Sequence, residues 1–409
     1  MPTISADGKY YIDIGADPLF TGGSFKSTYP EGLQFDDTIK GVGNCSWQYS
    51  FSATDQDGGT VVTGHDFIGP YRHYYRLRYG NVVIQAGVLV STNTILGSDF
   101  MSCAGKTWEH FLERWEYPFD GRTSPNHVND YQFLRTFMND ELTGSGVVTP
   151  PGLAYQANNR DLIRIFSDLF STTMNGVPHR VIFDITALAS LCGIKTNYQF
   201  TLGDNTKMFQ LISSLAGIGD GFDWWISHDM KVLWATPYRY GNPGAPVITY
   251  TFNNSSVQPN DLQFTNNGPA STHITGRGAG LASATQLNRG FGYAAAQTTF
   301  TRLDESYDFG DVRNETELIN RTKKQFSLDL NPQHDIPFQI DPGRMINFWS
   351  TFRKGRAIYI NYEMVSHLID SAHQLVAYNA SVNAQGESMV DFKLKQIYDT
   401  ASNVGVAEG

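Results

Sequence analysis

Trp47, Tyr49 and Phe51 stand at alternate positions in "CSWQYSF", with Gln48 and Ser50 between them. A period of two sends the aromatics to one face of a strand and the polar residues to the other. The aspartate- and glycine-rich "TDQDGG" then turns the chain, and "TVVTG" begins a return strand, which is a hairpin pattern. "YYRLRYGNVVIQAGVLVSTN" repeats the logic with Gly80-Asn81 at the turn. Such alternation predicts antiparallel sheet over residues 1 to 105, with one face wet. Composition agrees. The chain has 26 Phe, 21 Tyr, 39 Gly and only 17 % charged residues. Aromatics fit pleated surfaces and glycines punctuate turns.

The period then changes. In "TWEHFLERW", Trp108, Phe111, Leu112 and Trp115 fall on one helical face behind Thr107, a natural N-cap. "NRDLIRIFSDLF" predicts a second helix behind Asn159, with Leu162, Ile165, Phe166 and Leu169 inward. "GDNTKMFQLISSLAG" predicts a third, with Met208, Leu211, Ile212 and Leu215 inward, Asp204 capping the start and Gly217 the end. "FDWWISHDMKVLW" follows. Phe222, Trp224 and Ile226 alternate with Asp223, Trp225 and Ser227, and His228-Asp229 sits at a tight turn. This is a hairpin packed on the third helix, read as core rather than as an aromatic platform for a ligand. Trp225 points to the opposite face from Trp224, toward a second surface or a neighbouring subunit. Residues 106 to 240 are therefore an α/β region, with 120 to 158 a long excursion.

From 241 strands resume in "VITYTF" and "STHITGRGAG". Residues 280 to 300 read as a long loop or flexible hairpin. "NETELINRTKKQF" is a helix over about 314 to 327, capped by Asn314, with Leu318, Ile319, Thr322 and Phe326 inward. Strands follow in "RMINFWS", "AIYINYEMVSHLI", "QLVAYNASVNA" and "SMVDFKLKQI". The fold class is β-rich α+β: two β-rich thirds around an α/β region, without an evident internal repeat.

Several chemistries are disfavoured. A net charge of −10 suits a polyanion gripper poorly, since phosphate binding rests on clustered Lys and Arg. Cys45, Cys103 and Cys192 are too few and too scattered for a disulfide framework or a cysteine zinc site, and suit a reducing cytoplasm. No apolar run approaches the length of a membrane span, and the N-terminus does not read as a signal peptide. "GRGAG", Gly276 to Gly280, has no helical stripe after it, so it reads as a tight turn and not a dinucleotide loop. Asp55, Asp57 and Gly58 resemble the start of a calcium loop, but Asp66 stands where the closing glutamate belongs. His110 and Glu113 share a helical face without a second histidine. Gly-x-Ser-x-Gly is absent. Asp220, Asp223 and Asp229 are the best carboxylate candidates for glycoside hydrolysis, read more simply as turn and solvent-facing residues. No catalytic, cofactor or metal residue is assigned.

The stretch "FIGPYRHYYRLRYGNVVIQAGVLVSTNTILGSDFMSCAGKTWEHFLERWEYPFD" resembles the N-terminal part of minor tail proteins of long-tailed bacteriophages, especially those of actinobacteria. There a "GPYR"-like element and a strand precede a W-x-x-x-L-x-x-R helix. Trp108, Leu112 and Arg114 lie close to that pattern, the arginine one position early. "LGDNTKMFQLISSLAGIGDGFDWWISHDMKVLWATPYRYG" and the C-terminal "IDPGRMINFW", "AIYINYEMVSHLI" and "LVAYNASV" are similar to later parts of tail hub proteins. The resemblance implies a baseplate or tail-tip hub with two tube-type β-barrel domains, at 1–105 and 241–409, and an α/β insert at 106–240. It implies a homotrimeric ring in the virion tail tip, made in the host cytoplasm. Its partners would be a distal tail protein, a tape measure protein, and a central fibre, spike or other minor tail protein. Genomic DNA would pass through without specific binding, and an acidic lumen would let it slide. The chain ends soon after its last strand, so a lysin extension is not expected. Two other readings remain: a cell-wall hydrolase using Asp220 and Asp223, and a host-glycan-binding protein using Trp225 or the tyrosines of "YRHYY".

Overall fold

The computed structural model describes residues 9–21, 25–51, 68–94, 97, 99–115, 154–161, 173–174, 177–178, 183–191, 195–201, 207–216, 222–235, 246–253, 265–266, 269–278, 288–310, 312, 315–330, 334–345, 347–364, 367–383, 388–397 and 407–408. The first third supplies seven strands: β1 (Tyr10–Gly15), β2 (Phe25–Thr28), β3 (Glu31–Thr38), β4 (Asn44–Ser50), β5 (Tyr74–Tyr79), β6 (Val82–Thr94) and β7 (Phe100–Thr107). They pair antiparallel in the order β3-β4-β7-β6-β5-β1-β2. In β4 the alternation predicts burial correctly. Cys45, Trp47 and Tyr49 are buried while Asn44, Ser46 and Gln48 are exposed.

The expectation of one wet face fails at β5 and β6. Gln85 to Leu89 are all buried. A continuous buried run means that both faces of the sheet are covered. Tyr74, Ala86 and Val88 face one hydrophobic core, and Tyr75, Leu77 and Leu89 face another.

The first and last thirds share one sheet. The long strand His367–Val382 lies beside β3, with Ala380 opposite Phe35 and Ala377 opposite Thr38. Its other half carries Ala357–Met364 on that same flank, and Ser388–Gln396 lies along its opposite edge. Ile248–Phe252 extends the sheet in parallel beside Ala357–Met364. Among the described residues this makes a 12-stranded sheet whose path runs from Ile248–Phe252 to β2 without closing. Two separate closed barrels are therefore not formed within the described residues. A common core explains the merger. Phe35 packs 5.6 Å from Trp349 and 6.1 Å from Tyr378, ring centre to ring centre.

The middle region packs on the outer face of β5 and β6. Helix α1 (Glu109–Arg114) and the helix Met208–Ala216 bury Leu112, Met208, Leu211, Ile212 and Leu215 as their spacing predicts. Thr107 does not cap α1. Its hydroxyl accepts the Gly43 N–H at 2.9 Å, a β-sheet contact that outcompetes the helix terminus. The helix expected behind Asn159 is corrected at its start, because Ala154–Asp161 pairs as a strand with Lys195–Thr201. Residues 162 to 169, like Asp204 and Gly217, lie outside the described residues.

A smaller sheet of His273–Arg277, Asn288–Gly292, Asp304–Asp308 and Ala407–Glu408 packs under the helix Glu315–Leu330. Leu318, Thr322 and Phe326 are fully buried on that helix, as expected. Residues 280 to 300 are not simply a loop, since Asn288–Gly292 is a strand and Ala294–Phe300 a helix. The turn expected at "GRGAG" is corrected at its start, while Ala279 and Gly280 lie outside the described residues. Gly276 and Arg277 end a strand, and a Cβ on Gly276 would overlap the Thr322 side chain of the covering helix. "RMINFWS" is not a strand in its described residues: Arg344 ends a tight turn and Phe348 opens a short helix. Asp341 accepts the Gly343 N–H at 2.8 Å to start a tight turn, Asn347 adopts a left-handed φ of 62°, and Phe348–Thr351 forms a short helix.

Candidate functional site

The hairpin of Asp223–Ile226 and Val232–Ala235 pairs Trp224 with Trp234 and Trp225 with Leu233. Trp224 is fully buried, with its ring centre 5.2 Å from that of Phe209. Trp234 donates its indole N–H to the Ala187 carbonyl at 3.0 Å. The core reading of these two tryptophans holds. In the turn it is Met230, not Asp229, that takes the left-handed φ, at 60°. Asp229 instead accepts from Ser227 Oγ at 2.5 Å and pairs with Lys231 at 2.7 Å.

Trp225 points to the other face and lines a half-open cleft of about 330 Å³. Opposite it stands the turn Arg353–Arg356, which leads into Ala357–Met364. Gly355 holds this turn with a φ of +83°, and its N–H donates to the Leu375 carbonyl at 2.9 Å.

Lys354, in the same turn, joins the three parts of the chain. Its Nζ donates to Asp37 Oδ1 at 2.7 Å and to Glu109 Oε1 at 3.0 Å. Asp37 ends β3, Glu109 opens α1, and Lys354 belongs to the last third. All three are buried. Glu109 Oε1 also accepts the Ile226 N–H at 2.9 Å, which adds the tryptophan hairpin to the joint. Two buried carboxylates share one ammonium here. Burial pushes the Asp37 carboxyl up to about 6, against the opposing pull of Lys354, and Glu109 adds to the rise. Burial also opposes charge on Lys354, but Asp37 and Glu109 outweigh it and hold its pKa above the usual lysine value. Sequence reasoning singled out none of the three. One signal was available: Leu33, Phe35 and Asp37 share the inward phase of β3, so an acid stood where an apolar residue belongs.

The sequence candidates scatter. Asp223 is buried and pairs with Lys40 at 2.6 Å, with Lys395 at 3.7 Å on its other oxygen. Asp220, and Asp55, Asp57, Gly58 and Asp66, lie outside the described residues. His110 stacks under Tyr71, whose hydroxyl is 3.1 Å from Nε2, and Glu113 is 3.8 Å from Nδ1. Burial, then Lys106 and Arg114, lowers the His110 pKa to about 4. Among the described residues no three His, Cys, Asp or Glu side chains gather as a metal site. No described helix is long and apolar enough to cross a membrane. Of the "YRHYY" tyrosines, Tyr71 is exposed while Tyr74 and Tyr75 are buried.

No family model and no curated protein matches the sequence. Solved structures do. The tail protein from Neisseria meningitidis MC58 matches with a TM-score of 0.57 and 11 % identity, over 97 % of this chain and 98 % of that one. The 43 kDa tail protein of prophage MuSo2 from Shewanella oneidensis matches at 0.54 and 10 %, over 94 % and 98 %. Prophage tail protein gp18 from Listeria monocytogenes EGD-e matches at 0.51 and 11 %, over 94 % of each chain. At such identities the likeness is one of fold, and it runs end to end.

Proposed function

We propose that the chain is a structural virion protein, the homotrimeric hub of a phage tail tip, in which residues 1–105 and 241–409 act as two tube-type domains and 106–240 as an insert. The observation that carries this is the end-to-end fold likeness to three tail proteins, two of them from prophages, which leaves almost none of either chain unmatched. A fold alone does not fix a function. The sequence resemblance to actinobacteriophage minor tail proteins was found on separate grounds and points the same way.

In the proposed ring, three copies bring six β-rich lobes around one axis. The sheet path that ends at β2 and Ile248–Phe252 then meets neighbouring copies, which removes exposed strand edges. The acidic chain lines a channel that repels DNA phosphate. The buried Lys354 joint keeps the two lobes and the insert in one fixed relation. The hub would connect the tail tube, through a distal tail protein and the tape measure protein, to a central fibre, spike or other minor tail protein. No catalytic role is assigned.

The test is the mass of the purified chain by light scattering, followed by negative-stain imaging. A trimer, or rings as wide as a tail tube, is expected. A monomer that clears a cell-wall suspension overturns the reading.

A further inference from the structure

The cleft beside Trp225 holds a charge arrangement that the rest of the molecule does not use. The chain carries 40 acids against 30 Lys and Arg, so a surface arginine has acids to spare around it. Yet Arg353 and Arg356, both lining the cleft, have no ion-pair partner among the described residues. Arg353 is half-buried and spends its Nε on the Trp349 carbonyl at 3.0 Å, leaving its terminal nitrogens uncommitted. Arg356 is exposed. The other charged groups facing the cleft are already engaged or repel. Lys354 is taken by Asp37 and Glu109, and Asp229 on the opposing turn by Ser227 and Lys231. Burial, then Arg356, depresses the Arg353 pKa. Burial likewise lowers that of His228, and Arg353, Arg76 and Lys231 add to the fall against the pull of Asp229. Of the charged side chains lining the cleft, the cations Arg353, Lys354 and Arg356 stand against the acid Asp37.

Its remaining lining mixes apolar residues with Gln85, Thr107 and Ser227. Trp225 and Phe352 are buried at its floor, and Val247 at the rim is 58 % exposed, among the most exposed large hydrophobic residues described. A guanidinium pair beside an exposed aliphatic side chain suits a carboxylate that is flanked by an apolar side chain. A phosphate site would call for a cradle of backbone N–H groups, and a nucleic acid for a longer basic track.

We propose that this cleft docks an acidic segment of a partner protein, with an Asp or Glu carboxylate on Arg353 and Arg356 and a neighbouring aliphatic or aromatic side chain against Val247 at the rim. The inference rests on the cleft alone and holds whether or not the chain is a tail hub. It gives the Arg353–Arg356 turn two faces: Lys354 points inward to bind the molecule together, and the flanking arginines point to a partner.

The test uses the full chain on an array of immobilised short peptides in which Asp or Glu alternates with aliphatic and aromatic residues. A matched array carries Lys in place of each acid. Capture by a subset of the acidic peptides and not by their lysine counterparts is expected. Arg356→Gln should weaken that capture by about tenfold, the worth of one charge-assisted contact. Arg353→Gln/Arg356→Gln should abolish it. Arg356 is exposed and makes no described side-chain contact, so R356Q is expected to keep the wild-type melting temperature and separates lost docking from lost folding. Equal capture on both arrays, no capture on either, or capture unchanged in R356Q and in the double variant would each overturn the proposal. So would displacement of the acidic peptides by inorganic phosphate at constant ionic strength, which would make the ligand a free anion.

Discussion

Gly355 sits against the indole of Trp225 so closely that a Cβ on the glycine would overlap Cζ2 and Cη2 of the ring. The glycine also holds a φ of +83°, where L side chains are strained. Two costs therefore meet at one position. Gly355→Ala should destabilise the fold by about 2–4 kcal/mol, combining backbone strain with overpacking. Trp225→Ala opens space for the new methyl, so the double variant should be more stable than the sum of the two single losses by about 1 kcal/mol or more. Chemical denaturation of the four proteins in the cycle measures this. Strict additivity would show that the indole is not what the glycine accommodates.

Lys354 is the only cation that contacts Asp37 or Glu109 among the described residues. Removing it strands two buried carboxylates. Lys354→Met should cost about 3–5 kcal/mol, as expected when one member of a buried ionic group is lost. Neutralising both acids as well, with Asp37→Asn and Glu109→Gln, should recover part of that loss. A K354M protein within about 0.5 kcal/mol of wild type would remove the joint from any account of how the three regions are held.

The same cluster predicts a pH dependence. The folded-state pKa of Asp37 is raised to about 6, chiefly by burial. Between the usual aspartate range and that value the folded state binds more protons than the unfolded state, so stability falls as pH rises. The contribution is complete near pH 4 and gone somewhat above pH 6, on the order of 1–3 kcal/mol. Asp37→Asn removes the titration. The stability of wild type minus that of D37N should therefore decline across that window and be flat above it. A difference that rises with pH would reverse the assignment and make Asp37 a carboxylate that its surroundings keep ionised.

These three predictions also show what was readable in advance. Period-two alternation found β4 because one face of that strand is truly wet. It misjudged β5 and β6 because the insert covers their second face, and coverage by a remote segment leaves no local trace. The helix Glu315–Leu330 was legible from Leu318, Thr322 and Phe326, which are fully buried on its inner face. The strand pairing between β3 and His367–Val382 was not, since nothing in either segment names a partner some 340 residues away. The site divides in the same manner. Trp225 was legible as facing a second surface, but not Gly355 as what it meets there. Asp37 broke the apolar phase of β3, yet its partner Lys354 looked like any surface lysine until the fold brought them to 2.7 Å.

Asp223 and Asp229, the carboxylates that most invited a catalytic reading, are expected to be dispensable for chemistry. Asp223 is buried against Lys40 and Lys395, and Asp229 organises its own turn through Ser227 and Lys231. The Ser227 and Lys231 contacts outweigh burial and hold the Asp229 carboxyl below the usual range, the reverse of what a general acid at neutral pH requires. Asp223→Asn should cost about 1–2 kcal/mol, because its side chain is nearly inaccessible although Lys40 is half open to solvent. Asp229→Asn, in a half-buried turn, should cost less than about 1 kcal/mol. Wild type and both variants should leave the turbidity of a peptidoglycan suspension unchanged. If the wild-type chain clears the suspension and D223N does not, with its melting temperature near wild type, the hydrolase reading returns and Lys40 becomes part of an active site.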